Sequence, residues 1–208
     1  MHYGGRVAHP RRPQMTALLD AIQQRYACHQ FVVGQAVSAN TLALLLEAGR
    51  LAPSAFGLEP WRFITVQDEA GRAAVARACY DQPTAATAAA FIVIVALVAA
   101  LDPDSDYVRA RLEAEARGQD LAPIDEAYRA FYCAESVGNW AQGQCNFAAA
   151  HMLLQAAHLG LGSCPIGGFD AENLASVLAV PPGETPALVI ALGHCAQGAP
   201  QRIRKPPV

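Results

Sequence analysis

Residues 139–170 read NWAQGQCNFAAAHMLLQAAHLGLGSCPIGGFD, and their reading decides how the rest of the chain is arranged. Up to Phe169 the stretch carries no Asp, Glu, Lys or Arg. Its apolar residues recur on every side of a helix rather than along one stripe. A helix that is apolar all round has to be buried all round. In a chain of 208 residues, that puts the core on one side and another subunit on the other. Pro165, Gly167 and Gly168 then break the helix.

The pattern around this stretch alternates helices with a few strands. Upstream, residues 16–26 and 38–52 read as helices. The second is opened by Ser38, carries Leu42, Leu45 and Leu46 as its apolar stripe, and is stopped by Pro53. Residues 61–66 alternate as a strand, and residues 68–80 return to a helix with an acidic start. Residues 91–98, FIVIVALV, are β-branched and uncharged, which suits a strand buried on both faces. Residues 102–118 form a charged, exposed helical pattern. From about Glu126 a second long helical pattern runs to Leu159. Downstream, residues 171–180 read as a short helix, 186–195 as a third strand, and the tail is basic. This is an α+β layout, helices around a small sheet, in one domain spanning 16–208. Residues 1–15 hold Gly, Pro and Arg without an apolar run. They read as a mobile extension rather than a secretory signal.

Composition narrows the partners. Hydrophobic residues make up 53% and charged residues 16%. The apolar excess has to go into a core, a subunit interface or a ligand pocket. A net charge of −3 without a basic run argues against nucleic acid. Residues 82–101 lack charge, but their first half is Pro, Thr and Ala, so a membrane span is not expected. The six cysteines show no C-x-x-C spacing, so no metal site is expected. Scattered through apolar runs, they fit a reduced, cytoplasmic compartment.

No phosphate-binding glycine loop, dinucleotide fingerprint, zinc-protease motif or nucleophile elbow is present. Four separated segments remain. They are Arg25, the loop with Ser54, Phe56 and Gly57, the CPIGGF segment, and the tail with Arg202, Arg204 and Lys205. Arginines from both ends can meet on one anion, because a guanidinium fork matches a phosphate. Adjacent glycines let the backbone approach a flat ligand and aim N–H groups at it. Taken singly, each has a plainer reading as solvated surface, a turn or core.

Taken together, LAPSAFGLEPWRFITV (51–66), the stretch 140–170, LVIALGH (188–194) and the basic C-terminus resemble the nitroreductase family of FMN-dependent NAD(P)H oxidoreductases. The segments stand in family order from about Gln24 to Lys205. The resemblance implies a central, mostly antiparallel sheet flanked by helices, in an intertwined homodimer with flavin sites at the interface. It implies FMN as cofactor, NAD(P)H as reductant, and ping-pong transfer to nitroaromatics, quinones or other planar acceptors. No catalytic side chain is expected, since the flavin carries the chemistry.

Position by position, the resemblance assigns Arg25 to the phosphate, with Arg202 and Arg204 returning to it from the tail. Tyr26, Ala27, His29 and Gln82 fall at cofactor-contacting positions. Pro165, Ile166, Gly167 and Gly168 would lie along the ring, with the Gly167 N–H nearest the flavin N5. Pro53, Ser54, Ala55 and Gly57 would reach the flavin from the other chain, and Gln144 from the long helix. Phe56, Tyr128, Phe131 and Tyr132 are the candidates for the acceptor pocket. The chain departs from the family in several places. Ala27 replaces a serine, His29 another basic residue, Gly57 an asparagine and Glu59 a glutamine. Asp81 and Gln82 stand where asparagine and then lysine or glutamine are usual. Two further readings therefore stay open. One is a flavin-dependent dehydrogenase, oxidase or enone reductase on the same fold. The other is a dimer that has lost FMN and catalysis.

Overall fold

The protein was analysed as a computed structural model that describes residues 16–205. The extension expected at 1–15 lies outside the described residues. Among the described residues, eight α-helices and four strands follow the order of the predicted segments, with the differences given below. Helix α1 spans Ala17–Gln24 and α2 spans Ala39–Arg50. Strand β1 is Trp61–Val66, followed by α3 (Glu69–Ala78) and the single turn α4 (Pro83–Ala86). Strand β2 is Ala90–Ala96. Helices α5 (Asp106–Ala116), α6 (Ala122–Phe131) and α7 (Val137–His158) come next. The chain closes with β3 (Gly162–Ile166), α8 (Ala171–Val177) and β4 (Thr185–Gly193).

The strands form one sheet in the order β1-β2-β4-β3, and every pairing between them is antiparallel. Side chains alternate across a strand, and β2 shows the consequence. Ile92 and Ile94 face a core shared with Leu42, Leu45, Ala148 and Met152 of α2 and α7. Phe91, Val93 and Val95 face a second core with Val75 of α3 and Leu174 of α8. The whole of β2 is buried, as its uncharged β-branched run requires.

Local signals set the helix ends. The Ser38 hydroxyl accepts the Thr41 N–H at 3.0 Å, and Asp68 accepts that of Gly71 at 2.7 Å. Ser38→Ala should cost about 1 kcal/mol, lowering the melting temperature by roughly 2–4 °C in thermal unfolding.

Two expectations are corrected. The long pattern from Glu126 is two helices, broken between Phe131 and Val137. The SCPIGG segment contributes an edge strand as well as a break, with Pro165 in register with Ile190. A proline is tolerated there because an edge position does not need its missing N–H.

Helix α7 is 22 residues long. One side is buried through Ala141, Cys145, Ala148, Met152 and Ala156. Gly143, Phe147 and Ala150 on the other side are exposed, with Phe147 at 50%. The single chain thus covers one face of this apolar helix and leaves the other open.

Cys28 and Cys195 form a disulfide, with Cα atoms 5.9 Å apart, so the expectation of uniformly reduced thiols fails at this pair. Of the free cysteines, Cys79, Cys145 and Cys164 are buried and Cys133 is exposed. Burial pushes the Cys79 thiol up to about 11 and the Cys145 thiol up to about 12, and raises Cys164 as well. A raised thiol stays protonated and unreactive at neutral pH. At pH 8 a thiol-specific chromogenic reagent should therefore titrate Cys133 quickly and the three buried thiols only on unfolding. Their contribution to stability is complete below the unfolded thiol value of about 8.5. It is lost as pH rises towards the folded values.

No helix among the described residues is long and apolar enough to cross a membrane. Nor do they contain a His, Cys, Asp and Glu cluster suited to a metal.

Candidate functional site

The first group of predicted residues gathers where α1 ends, beside the outer edge of β3. The chain after α1 runs along that edge. Ala27 bridges Ser163 in parallel, and the Cys28 N–H donates to the Ser163 carbonyl at 3.1 Å. The tail returns to the same place. Tyr26 donates its hydroxyl to the Gln197 carbonyl at 2.8 Å, and the Cys28–Cys195 bond ties the two segments together. Arg202 donates to the carbonyls of Ile22, Gln23 and Arg25 around the end of α1.

Arg25, Arg202 and Arg204 are thereby close enough to repel one another. Partial burial first, and then the Arg202 and Arg204 guanidinium groups, hold Arg25 below its usual value. The Arg25 side chain makes no ion pair or hydrogen bond among the described residues. Three cations converging with no carboxylate paired to them among the described residues favour an added anion. A cavity of about 360 Å³ opens among them, lined by Gln23–Ala27 and Ala199–Arg204. A second, of about 380 Å³, continues past Tyr26, Ala27 and His29 to Pro83.

The glycine segment joins this surface. Gln82 donates from Nε2 to the Gly168 carbonyl at 2.9 Å, and Thr84 donates to the His29 carbonyl at 3.2 Å. Pro165, Gly167 and Gly168 are exposed, whereas Ile166 points into the core. A Cβ built on Gly167 would meet nothing within 4 Å, so the backbone there faces open space.

The second group lies elsewhere. The Ala55 N–H donates to Gln144 Oε1 at 3.0 Å, which pins the Pro53–Gly57 loop to the middle of α7. The Ser54 hydroxyl accepts the Glu59 N–H at 2.7 Å and closes its own loop. Phe56 stacks edge-on against Tyr128 at 5.3 Å and leans on Phe131 at 5.5 Å, with Tyr132 6.2 Å from Tyr128. Trp140 extends the cluster from Phe131 at 5.4 Å, a contact not anticipated from the sequence. Tyr128 does not line a pocket. It is fully buried, donates its hydroxyl to the Leu101 carbonyl at 2.6 Å, and backs the other two rings. Phe56, Phe131 and Tyr132 are the rings left at least partly exposed.

The two groups are not brought together within one chain. Gln144 and Ala157 stand thirteen residues apart on α7, roughly 20 Å at 1.5 Å per residue. Ala157 borders a cavity shared with Arg25 and Tyr26. Sequence reasoning also missed Tyr107 and Arg111, which hold the Phe56 loop from α5. Their spacing of four along a charged helix was the available signal.

The fold is an α+β core with a cationic groove near an exposed glycine pair. The sequence profile described as the Nitroreductase family matches residues 22–194, and the chain belongs to that family. A protein of Staphylococcus haemolyticus, provisionally designated an NAD(P)H nitroreductase, is 28% identical over 91% of this chain and 93% of its own. A nitroreductase-like protein of Streptococcus mutans superposes with a TM-score of 0.80 at 20% identity. That match covers 90% of this chain and 93% of the other. A provisionally assigned nitroreductase of Exiguobacterium sibiricum, solved in complex with FMN, gives 0.76 at 21% identity, covering 92% and 94%. These structures share the fold.

Proposed function

We propose that this protein is an FMN-dependent oxidoreductase that uses NAD(P)H to reduce nitroaromatic, quinone or similar planar acceptors. One observation carries the reading. Three arginines with no ion-pair partner among the described residues border a groove, and a second cavity runs past His29 to Pro83, beside the Gln82 that holds the exposed glycine pair. A ligand with a phosphate at one end and a flat ring at the other fits that combination. The Streptococcus and Exiguobacterium structures support the fold on which the reading rests.

Arg25, Arg202 and Arg204 are the residues to hold the phosphate. Tyr26, Ala27, His29 and Gln82 border the path from it. Pro165–Gly168 offer a platform to the ring, and the Gly167 N–H is the donor assigned to its N5. When bound, FMN supplies hydride chemistry, accepting from NAD(P)H and reducing the acceptor in a ping-pong order. The chain's residues would orient the ring, keep one face open and set the Gly167 N–H at its edge.

The second group completes the site from a partner chain in a homodimer. Pro53, Ser54, Ala55, Gly57 and Gln144 stand too far from Arg25 along α7 to serve the same ligand within one chain. A partner copy also covers the open face of α7 around Phe147. Phe56, Phe131 and Tyr132 then border the acceptor pocket, with Tyr128 behind them. The domain comprises residues 16–208, and its four free cysteines fit a cytoplasmic compartment, to which the Cys28–Cys195 pair is the exception.

The test is the absorption spectrum of the purified protein, with FMN titration if it is colourless. About one FMN per chain, bleached anaerobically by NAD(P)H, is expected. Flavin that stays oxidised with NAD(P)H would move the reading to a dehydrogenase, oxidase or enone reductase. No flavin binding at high micromolar FMN would end the enzyme reading.

A further inference from the structure

Resting on that reading, we propose that Arg111 and Tyr107 of α5 are positioning residues. They clamp the Phe56 loop and so set which planar acceptors the pocket takes. The loop is held in a conformation that its own residues disfavour. Phe56, Gly57 and Glu59 all have positive φ, at 57°, 61° and 44°. For Phe and Glu this left-handed region is costly, and it persists only where the surroundings over-determine it.

The over-determination comes from one helix face. Arg111 donates from Nε to the Gly57 carbonyl at 2.9 Å and from Nη2 to the same oxygen at 2.7 Å. Its Nη2 also pairs with Glu59 Oε1 at 2.5 Å. The Tyr107 hydroxyl lies 2.7 Å from the Leu58 carbonyl and 2.8 Å from that of Glu59. Glu115 presses against Gly57, where a Cβ would come within 2.7 Å of its Oε2. Residues 107, 111 and 115 form a single stripe at helical spacing. Val108 and Leu112 are fully buried and seat the helix in the main core. Three consecutive loop carbonyls, at 57, 58 and 59, are thus engaged from a rigid element.

The clamp reaches the pocket by two routes. Phe56 sits between the clamped carbonyls and the Tyr128–Phe131 rings, so a shift of the loop moves its ring. The Ala55 N–H to Gln144 bond begins one residue earlier and shifts with it. Neither Arg111 nor Tyr107 needs to touch acceptor or flavin for this.

The experiment uses the full-length, flavin-loaded dimer with Arg111→Ala and Arg111→Lys. Two readouts are taken: hydrogen exchange across residues 54–59, and the ratio of kcat/KM for p-benzoquinone to that for the larger menadione. Arg111→Ala should speed exchange in the loop at least tenfold, leave exchange in β2 unchanged and shift the ratio at least fivefold. Lysine supplies charge but not the guanidinium fork, so Arg111→Lys should fall between parent and alanine in both. Unchanged loop exchange in Arg111→Ala overturns the clamp. Faster loop exchange with an unchanged ratio overturns the link to acceptor choice. A parent protein that reduces neither quinone overturns the oxidoreductase reading and the acceptor claim together. Because exchange needs no turnover, the clamp itself is still decided in that case.

Discussion

Arg25→Ala weakens FMN binding roughly a hundredfold while the melting temperature stays within about 2 °C of the parent. The first half follows from the charge-assisted hydrogen bonds the guanidinium would give a phosphate, at about 1.5–3 kcal/mol each. Every 1.4 kcal/mol is about a factor of ten in affinity. The second half follows from the Arg25 side chain having no partner among the described residues, while partial burial first, and then repulsion by Arg202 and Arg204, lower its proton affinity. Removing one of three like charges relieves that repulsion and breaks no bond. Arg202→Ala makes the contrasting case. It loses the contacts to the Ile22, Gln23 and Arg25 carbonyls, so stability and affinity should fall together. Flavin fluorescence titration and differential scanning calorimetry on the two variants separate these effects. Unchanged affinity in Arg25→Ala would remove the phosphate from this groove.

Tyr128→Ala destabilises the fold by about 3–5 kcal/mol, the range for deleting a large buried ring. That corresponds to a fall in melting temperature of roughly 6–20 °C. The side chain is fully buried, and its hydroxyl satisfies the Leu101 carbonyl. Tyr128→Phe keeps the ring and loses the donor. It should cost about 1–3 kcal/mol, because a buried acceptor is left without its partner. Burial also pushes the Tyr128 hydroxyl up to about 12, with Tyr132 and Asp102 adding smaller contributions. The hydroxyl therefore stays protonated and able to donate across the physiological range. Urea melts of the two variants test both figures. A Tyr128→Phe protein as unstable as Tyr128→Ala would mean that the hydrogen bond, and not the packing, dominates.

Sequence disclosed more about the surroundings of one of these residues than of the other. That Arg25 could meet the tail arginines was readable from chemistry and chain order, and the structure sets Arg202 and Arg204 beside it. A phosphate-matching side chain, a glycine pair and a basic tail recur in a family order. Tyr128 was grouped with Phe131 and Tyr132 as a pocket candidate through the family resemblance. Only packing tells which ring of such a cluster turns inward. Strand β3 had the same difficulty. Gly162, Ser163 and Pro165 have little intrinsic strand preference, and the segment becomes a strand because β4 offers it an edge. The break between α6 and α7 was hidden because no proline or glycine marks residues 132–136.

Local or periodic signals were enough for part of the fold. They gave the Ser38 cap, the acidic start of α3, the uncharged strand β2 and the apolar helix α7. The sequence also determined the family, because several motifs coincide in one order. Only the tertiary structure decided what depends on distant parts of the chain meeting. It brought Arg25, just past α1, to the arginines of the tail and joined Cys28 to Cys195. It tied Ala55 to Gln144 and hung the Phe56 loop from Arg111. Each of these is a contact between residues separated by more than fifty positions. Such contacts are set by how faces pack, and a one-dimensional pattern holds no record of which faces meet.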